Sequence, residues 1–509
     1  MANPVELKVN TSDANIRKRS AVQKENYSES AFSSEKQNSS MNLSFLESQD
    51  KQRTSKTSSE TGTETDGKFD KEPEDHFHIV YLTMMLHGVG VLIPWSSFMT
   101  IAPEYYVCFK LREITSFGSA ETIYAKDFLK YLATASQGPN LLLNVMNLFF
   151  TFRSGLTARI FICVLIMFLI CALTMAFIFV DTSLWIGTFF WITMMLVVVL
   201  NAAGGLYLNS LFGIAADLPP NMTASITVGN NLSGVLCALV AIVTRAAATS
   251  SQKSAMAYFT VALVLVAACG LSFLLLRKSE FYQYYVNKVG RGKVSVGKES
   301  MGSLKSESEE LSKKLTIYRI VLEKAWIQFL NIWMVLFVTL SIYPAIQAEV
   351  RPRDNFIIPR EYFELVTTFF NFALFAMCGA MVSNWIQWPP PRFLIVATSL
   401  RLLFIPFFLA CNYRPNSRRW PILIKSEWAF IIGGALMAFS SGYLSTLGMM
   451  YAPRVVHPSK SRSAGMMASL IFVVGLCSGI GFTYVEAYLM ENVGPLAPLQ
   501  VSDATGDMW

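Results

Sequence analysis

Long apolar segments constrain the fold of this chain more strongly than any other feature of its sequence. Residues 160–180 and 185–200 are almost entirely apolar, and about twenty such residues are enough to cross the hydrocarbon core of a bilayer. About eleven segments of this kind follow one another along the chain. Their approximate bounds are 78–102, 137–152, 157–180, 183–209, 223–248, 255–276, 326–347, 361–387, 392–411, 428–452 and 463–490. The sequence therefore predicts an all-α membrane protein with about eleven transmembrane helices.

The composition also favours a membrane protein over an ordinary soluble one. Hydrophobic residues make up 53% of the chain and charged residues 15%, whereas soluble proteins contain about 25% charged residues. Residues 1–76 are the exception, because they are rich in Ser, Thr, Glu and Lys and nearly free of large aliphatic side chains. Such a segment cannot bury enough apolar surface to fold, so we predict a disordered tail. The first apolar segment begins near Phe77 and is expected to act as the first anchor, without a cleavable signal peptide.

The membrane segments fall into a group of six and a group of five. Residues 277–325 form a long loop between the first group, in 77–276, and the second group, in 326–490. This loop is rich in Lys, Arg and Ser, and the positive-inside rule places it in the cytoplasm together with the N-terminal tail. The odd number of spans then places the tail 491–509 outside the cell. Two halves joined by a long cytoplasmic loop are a common plan for transporters, in which the substrate site lies between the halves.

No motif for catalysis stands out along the chain. A Walker loop is absent, so ATP-driven pumping is not indicated. The eight cysteines are scattered without a C-x-x-C pair, and four histidines are too few for a zinc framework. No acidic residue inside the apolar segments suggests a proton relay, and Lys and Arg cluster in loops near the membrane, which fits topology better than nucleic-acid binding. We therefore predict a carrier driven by a solute gradient, not an enzyme, with no cofactor, no metal and no nucleic-acid partner.

The first segment combines a proline with an apolar and aromatic face. Pro94 removes a backbone hydrogen bond and should kink the helix. Leu92, Trp95 and Met99 follow an i, i+3, i+7 spacing and therefore share one face of a helix. Two interpretations stay open for this face: a wall on which a flat ring can stack, or packing against lipid and neighbouring helices.

Polar residues inside the other segments are costly in lipid and therefore informative. Arg401 lies among leucines, and it either gates or contacts the pathway, or ties helix ends together or snorkels to the surface. The fourth segment ends with small residues around Gly204, which permit close helix contact, and with Asn209, which offers a donor and an acceptor. In the fifth segment Asn230 and Asn231 either line a cavity or bond a neighbouring helix.

An ordered set of motifs resembles the equilibrative nucleoside transporter family. The resemblance runs from about Tyr81 to the last segment and excludes the N-terminal tail and the central loop. The matching pieces, in order, are Leu92-Ile93-Pro94-Trp95 with Phe98-Met99-Thr100, Ser210-Leu211-Phe212-Gly213 with Leu218-Pro219, Thr223-Ala224 with Gly229 to Gly234, Glu280-Phe281-Tyr282, Tyr343-Pro344, Arg401 with Pro406, and Gly442-Tyr443-Leu444. Each piece is short, whereas the ordered set is specific.

The resemblance implies a fold, a function and a set of site residues. The fold would be a bundle of six and five helices, resembling a reduced major-facilitator-like fold, that exposes one central nucleoside site to each side in turn. Facilitative transport of nucleosides would be the function, with the plasma membrane as the default location. The implied substrate-site residues are Leu92, Trp95, Met99, Gly204, Leu208, Asn209, Tyr343, Asn371 and Leu476. The residues implied in gating or helix packing are Pro94, Gly229, Gly234, Pro344 and Arg401.

The eighth segment departs from the family pattern. Members of the family usually carry an Asp and an Arg there that meet the ribose hydroxyls, whereas Ala376 and Ala380 occupy these positions and Asn371 is the polar residue left nearby. Leu208 falls where many members have a base-binding Gln. Each charged hydrogen bond is worth about 1.5–3 kcal/mol. Two alternatives therefore stay open: a carrier of nucleobases or another small polar solute, or a non-transporting regulatory member on whose tail and loop kinases act.

Overall fold

The computed structural model describes most of the membrane segments. The described residues are 73, 75–115, 118–126, 128–149, 155–247, 250–276, 278–285, 287, 307–352, 356–414 and 418–494. The predicted tail up to residue 72, much of the central loop and the residues after 494 lie outside this range. The predictions of a disordered tail, of a cytoplasmic loop and of an outer C-terminal tail therefore stay predictions.

Helices form almost all of the described structure, which confirms the prediction of an all-α membrane protein. The first six are Ile79–Ile101 (α1), Phe128–Phe149 (α2), Leu156–Phe179 (α3), Ile186–Ala215 (α4), Pro220–Ala246 (α5) and Ser251–Leu276 (α6). The other five are Glu307–Ile342 (α7), Arg360–Val382 (α8), Leu394–Ala410 (α9), Glu427–Arg454 (α10) and Ser461–Asn492 (α11). Wider π-helical turns extend α1 through Ala102–Lys110 and interrupt α8 at Leu365–Phe370. Within the described residues, the only strands are Arg112–Thr115 (β1) and Gly118–Glu121 (β2), which form an antiparallel hairpin after α1.

The membrane-length helices follow the predicted order of segments. In the described part of the chain, 9 helices are long and apolar enough to cross a membrane, judged by length and composition. α9 is apolar but shorter, and α2 is not among them because it carries polar residues such as Gln137, Asn140 and Asn144. Each predicted segment nevertheless coincides with a helix, so that six helices precede the central loop and five follow it.

Two of the predicted boundaries are wrong. α2 begins at Phe128 and not near residue 137, because its first turns include polar residues such as Lys130 that hide the helix from a hydropathy pattern. α7 begins at Glu307 and not near 326, so the last part of the predicted loop 277–325 is helical. An exposed ion pair between Arg319 and Glu323, one helical turn apart at 2.9 Å, suits a solvated helix face.

The backbones of α1 and α5 touch where the two helices cross. Gly88 of α1 faces the carbonyl oxygen of Ile226, and Gly229 of α5 faces that of Met85, so a Cβ atom on either glycine would collide with backbone. Small residues let membrane helices approach closely, and close packing is a main force between helices in lipid. The packing role that the family resemblance implies for Gly229 fits this contact.

The same pairs of helices meet in both halves. In the first half α1 packs on α5 and α2 on α4, and in the second half α7 packs on α11 and α8 on α10. Glycines again mark the crossings, with Gly379 and Gly442 between α8 and α10 and with Gly475 and Gly479 between α7 and α11. The two halves therefore repeat one arrangement that is not visible as a repeat in the sequence. Between the halves, α5 lies against α8 and α10, and α11 lies against α2 and α4.

Candidate substrate site between the two halves

The first helix presents one partly open face. Pro94 lies inside α1 and is buried. Leu92 and Trp95 are half-buried and pack on the edge of the first-half core. Met99, about one turn further along, keeps 38% of its surface exposed, whereas its neighbour Phe98 is fully buried. The face predicted from the spacing of these residues therefore lies at the boundary of the core and not inside it.

Open space lies beside this face, at Gly204 of α4. A Cβ atom on Gly204 would find only the carbonyl oxygen of Val91 nearby, at 3.8 Å. Leu476 of α11 is half-buried and packs on the same core cluster as Leu92 and Trp95, to which residues of both halves contribute. Leu92, Trp95 and Leu476 thus pack on one shared core cluster, and Gly204 lies next to Val91 on the first helix.

The other two candidates on α4 are buried. Leu208 belongs to the first-half core and keeps 6% of its surface exposed. Asn209 is fully buried, and its Nδ2 donates to Asn144 Oδ1 on α2 at 3.3 Å and to the carbonyl oxygen of Met466 on α11 at 3.1 Å. In this conformation Asn209 joins helices of both halves instead of facing an open pathway.

The two alanines of α8 that depart from the family pattern lie in a tight helix contact. Ala376 and Ala380 are almost fully buried. Gly442 of α10 faces the carbonyl oxygen of Ala376 so closely that no Cβ atom would fit. Asn371 is also mostly buried, and its Nδ2 donates to the carbonyl oxygen of Ile431 on α10 at 3.1 Å. At these positions α8 therefore offers no charge, and its one amide is bound to α10.

A buried amide that sequence reasoning missed lies next to Asn371. Gln347, in the short helix Ala345–Ala348, is 2% exposed, and neither atom of its amide has a hydrogen-bond partner among the described residues. A Cβ atom on Gly434 of α10 would lie 3.0 Å from Asn371 Nδ2 and 3.3 Å from Gln347 Nε2, which places the two amides side by side. An unpaired amide is costly in an apolar interior, so Gln347 is an available hydrogen-bonding group.

Tyr343 and Pro344 lie where α7 ends and the short helix Ala345–Ala348 begins. The ring of Tyr343 stacks on Phe372 of α8 with centroids 3.8 Å apart, and it contacts Phe369 edge-on at 6.0 Å. Pro344 is the N-cap residue of the short helix. We call the end of the bundle that carries this α7–α8 connection the outer end, because the predicted topology places it outside the cell. The opposite end, which is predicted to face the cytoplasm, is the inner end.

Arg401 ties together three helices of the second half. It is 2% exposed, and its Nη2 donates to Thr339 Oγ1 on α7 at 2.8 Å. The hydroxyl of Thr339 lies 2.9 Å from that of Ser441 on α10. Nε and Nη1 of Arg401 have no partner in the part of the chain that the structure describes. Burial excludes snorkelling to the surface, and the bond to Thr339 favours the interpretation of Arg401 as a tie between helices.

α5 carries candidate residues at the contact with the second half. A Cβ atom on Gly234 would lie 3.1 Å from the Cβ atom of Ala373 on α8, so the two helices touch there. Asn231 Nδ2 donates to the carbonyl oxygen of Thr227 in its own helix at 2.9 Å. Asn230 is 8% exposed, and its Oδ1 has no partner within the described ranges, which leaves it as an available acceptor.

A shielded ion pair joins the two halves at the inner end. Arg462, at the start of α11, donates from Nε to Asp217 Oδ2 in the α4–α5 connection at 2.7 Å and also from Nη2 to the same oxygen. The side chain of Asp217 is 5% exposed. One turn along α11, a Cβ atom on Gly465 would lie 2.7 Å from the carbonyl oxygen of Phe212, so the helices are in backbone contact. We call the Asp217–Arg462 pair the inner lock.

The polar contact between the halves at the outer end is more exposed. Arg245, at the end of α5, donates to Glu104 Oε1 at 3.0 Å and to the carbonyl oxygen of Glu361 in α8 at 2.9 Å. The side chains of Arg245 and Glu104 are 40% and 47% exposed. Glu104 and Arg245 both belong to the first half, so of these two contacts only the bond to the carbonyl oxygen of Glu361 crosses to the second half.

Two halves of membrane-length helices with the same internal arrangement, and an open face where they meet, define the chain as a polytopic membrane transporter. A family model described as Nucleoside transporter matches residues 194–487. The chain therefore belongs to the equilibrative nucleoside transporter family, as its sequence motifs predict.

Named relatives cover most of the chain. Equilibrative nucleoside transporter 3 of Rattus norvegicus is 30% identical over 430 residues, which are 80% of this chain and 89% of that protein. Equilibrative nucleoside transporter 1 of Homo sapiens is 28% identical over 454 residues, which are 81% of this chain and 98% of that protein. Equilibrative nucleotide transporter 1 of Arabidopsis thaliana is 25% identical over 444 residues, which are 83% of this chain and 91% of that protein. All three are named as transporters and none as an enzyme.

Gly204→Leu tests whether the open space beside α1 belongs to the substrate pathway. The leucine side chain would fill the space in front of Val91, so we expect the variant to fold normally and to lose most of its uptake of labelled uridine. Gly204→Ala is the control and should retain uptake, because its Cβ atom meets nothing closer than 3.8 Å. Wild-type uptake by Gly204→Leu at equal surface expression would place the pathway elsewhere.

Proposed function

We propose that the chain is a facilitative transporter of nucleosides that works by alternating access. The observation that carries the proposal is the half-buried Trp95 in a chain of this family, one helical turn after Val91, whose carbonyl oxygen faces the space at Gly204. An indole ring that is packed on one side and open on the other suits stacking of a flat nucleobase. Further substrate contacts would come from Leu92, Met99 and Leu476.

Alternating access fits the unequal ends of the bundle. The inner lock and the contact of Asn209 with Met466 hold α11 to α4 and to the α4–α5 connection at the inner end, whereas at the outer end Arg245 crosses to the second half by a bond to a backbone carbonyl oxygen. The conformation is therefore closed at the inner end. Transporters of this plan expose a fixed site by rocking one half against the other, and here the rocking motion would have to break the inner lock. A solute gradient would supply the driving force.

Transport of nucleobases is a second candidate, and the observation that favours it is the apolar surface of α8. Ala376 and Ala380 are buried against α10, so ribose hydroxyls would lack the charged partners that the resemblance implies at these positions. Such a hydrogen bond is worth about 1.5–3 kcal/mol, and a base without ribose would lose nothing there. The neutral amides of Gln347 and Asn371 suit a neutral polar ligand.

We further infer that the chain acts in the plasma membrane and that kinases act on its N-terminal tail and central loop. The tail contains Arg17-Lys18-Arg19-Ser20, and the loop contains Ser303, Ser306 and Ser308. Phosphorylation there would add negative charge to a polar, mildly acidic tail and to a basic loop. A regulatory member that does not transport would keep these segments and lack any solute flux.

Uptake of labelled uridine, adenosine and adenine tests the proposed function in cells that lack nucleoside transport. We expect saturable uptake of uridine and adenosine that persists after ATP depletion. Uptake of adenine alone would instead identify a nucleobase carrier. No uptake of any of the three, with surface expression confirmed, would contradict nucleoside and nucleobase transport and favour a regulatory member.

Trp95→Ala should lower the apparent affinity for uridine about tenfold or more, since stacking of a base on an aromatic side chain is worth about 1–3 kcal/mol. The measurement is uridine uptake as a function of concentration at equal surface expression. Trp191→Ala is the matched control, because Trp191 lies on α4 with 63% of its surface exposed and should leave the kinetics unchanged. Unchanged kinetics in Trp95→Ala would remove Trp95 from the site.

Breaking the inner lock should disturb transport more than breaking the outer ion pair. Loss of one partner of a shielded pair leaves the other uncompensated and costs up to about 3–5 kcal/mol. We therefore expect Asp217→Asn and Arg462→Gln each to lower maximal uridine uptake several-fold. The double variant should lose less uptake than the losses of the two single variants combined would give. Glu104→Gln, in the exposed pair, should have little effect. Additive losses at Asp217 and Arg462 would show that the pair does not act as a unit.

A further inference from the structure

The outer part of α11 contains a buried carboxyl group that the proposed transport mechanism does not use. Glu486 is 1% exposed, and neither of its carboxyl oxygens has a hydrogen-bond partner among the described residues. Nothing in the sequence singles it out, because it is one acidic residue near the end of the last membrane segment. Its burial becomes visible only when the neighbouring helices are in place.

The register of α11 shows what Glu486 faces. Gly479, Glu486 and Met490 are spaced by seven and four residues, so they lie on one face of the helix. A Cβ atom on Gly479 would lie 2.7 Å from the carbonyl oxygen of Phe337 and 2.8 Å from Leu340 Cβ, both on α7. Met490 packs in a core cluster with Ile342 and Ile346. Glu486 lies between Gly479 and Met490 on this face of α11, which packs against the end of α7.

The nearest ionic groups form a cluster at the outer end that is complete without Glu486. Arg414 donates to both carboxylate oxygens of Glu349 and, at 2.6 Å, to Glu491. The bonds to Glu349 raise the pKa of Arg414. Tyr413 lies within electrostatic reach of this cluster and of Glu486, and burial raises the pKa of Tyr413 to about 12, so its hydroxyl stays neutral.

Two further arginines near the end of α11 are bound to backbone groups. Arg418 donates only to carbonyl oxygens in the described structure, namely those of Leu409, Cys411, Tyr413, Trp420 and Pro421. Arg419 donates its backbone N–H to the carbonyl oxygen of Met490 at 2.7 Å and its Nη1 to that of Asn492 at 3.0 Å. Both arginines therefore fasten the outer connection to the chain around it.

Among the side chains that the structure describes, the helices packed against α11 supply no counter-charge to Glu486. α4 has no charged residue, and α7 has none after Lys324. α2 has only Lys130, in its first turn, and α10 has only Glu427 and Arg454, at its two ends. Within the described structure, Glu486 thus has no ion-pair partner on any element that it faces.

A carboxylate that is buried without a partner is strongly disfavoured, and such a group becomes neutral by taking up a proton. We propose that Glu486 is a proton-binding site, occupied in the conformation closed at the inner end and emptied when the outer part of α11 becomes open to water. In the occupied state the proton forms the O–H bond of a neutral carboxylic acid. In the emptied state water reaches the group, and the proton leaves to the outer side as the carboxylate forms.

This site makes the balance between conformations depend on pH, whichever solute the chain carries. Acid conditions keep Glu486 neutral and favour the conformation closed at the inner end. Above about pH 4.3 the same carboxyl is ionised in the unfolded chain, so folding takes up a proton. The stability of the wild type should therefore fall as the pH rises, and the decline should end where the buried group itself ionises.

Glu486→Gln removes this proton uptake while it preserves the shape of the neutral acid. The measurement is the thermal unfolding midpoint of the purified full chain in detergent between about pH 5 and pH 8. We expect Glu486→Gln to gain several degrees over the wild type as the pH rises across this range. Glu491→Gln is the matched control, because Glu491 is partly exposed and paired with Arg414, and this variant should keep the wild-type pH slope. A Glu486→Gln difference that is constant with pH would overturn the proposal.

Infrared spectroscopy of the wild type decides the question even if the variant folds poorly. Solvated carboxyl groups are ionised at neutral pH, so the proposal predicts a carbonyl band of a protonated acid at that pH and loss of this band in Glu486→Gln. Absence of such a band from the wild type would also overturn the proposal. Both measurements are made without a transported solute, so a failure of the proposed nucleoside transport would leave their outcome unaffected.

Discussion

Close backbone contact at glycine crossings is the interaction on which the rest of the structure depends. In lipid the hydrophobic effect does little to hold one helix to another, so association relies largely on packing. Gly88 and Gly229 provide such a contact between α1 and α5, and Gly379 and Gly442 provide one between α8 and α10. Each half is thereby a firmly packed unit, and the side chains at its edge, such as Trp95, keep fixed positions.

The contact between the halves has a different character, which explains how a firmly packed bundle can still move. Polar bonds cross this contact, including the inner lock and the bond from Asn209 to Met466. Hydrogen bonds and ion pairs can be exchanged for water when the halves separate, whereas the glycine contacts within each half have no such substitute. Motion between the halves would have to open the close contacts at Gly234 and Gly465 as well as these polar bonds.

The sequence predicts the helices well because a long apolar segment has few alternatives in a bilayer, where every backbone polar group must be paired. It fails at the start of α2 and in the inner part of α7, because both stretches are helical but too polar for a hydropathy pattern. The face of Leu92, Trp95 and Met99 was predictable from spacing alone.

The buried polar groups were not predictable, because their surroundings come from distant parts of the chain. Asn209 is bound by Met466, which lies 257 positions away. Gln347 and Glu486 are single polar residues in sequence, and only the packing of α10 and α7 against them shows that they are enclosed. At Ala376 and Ala380 the sequence shows the departure from the family pattern, but it does not show that these two residues are tightly packed against α10.

The distance between the inner ends of the two halves is the most direct test of the proposed movement of the halves about a central site. Spin labels at Asn221 and Ser459, introduced as cysteines after the exposed Cys108 is replaced by serine, would report this distance by double electron–electron resonance. The account predicts one short distance in the absence of substrate and a second, longer one when a nucleoside is added. A single distance that does not change at saturating nucleoside would contradict movement of the halves about a central site.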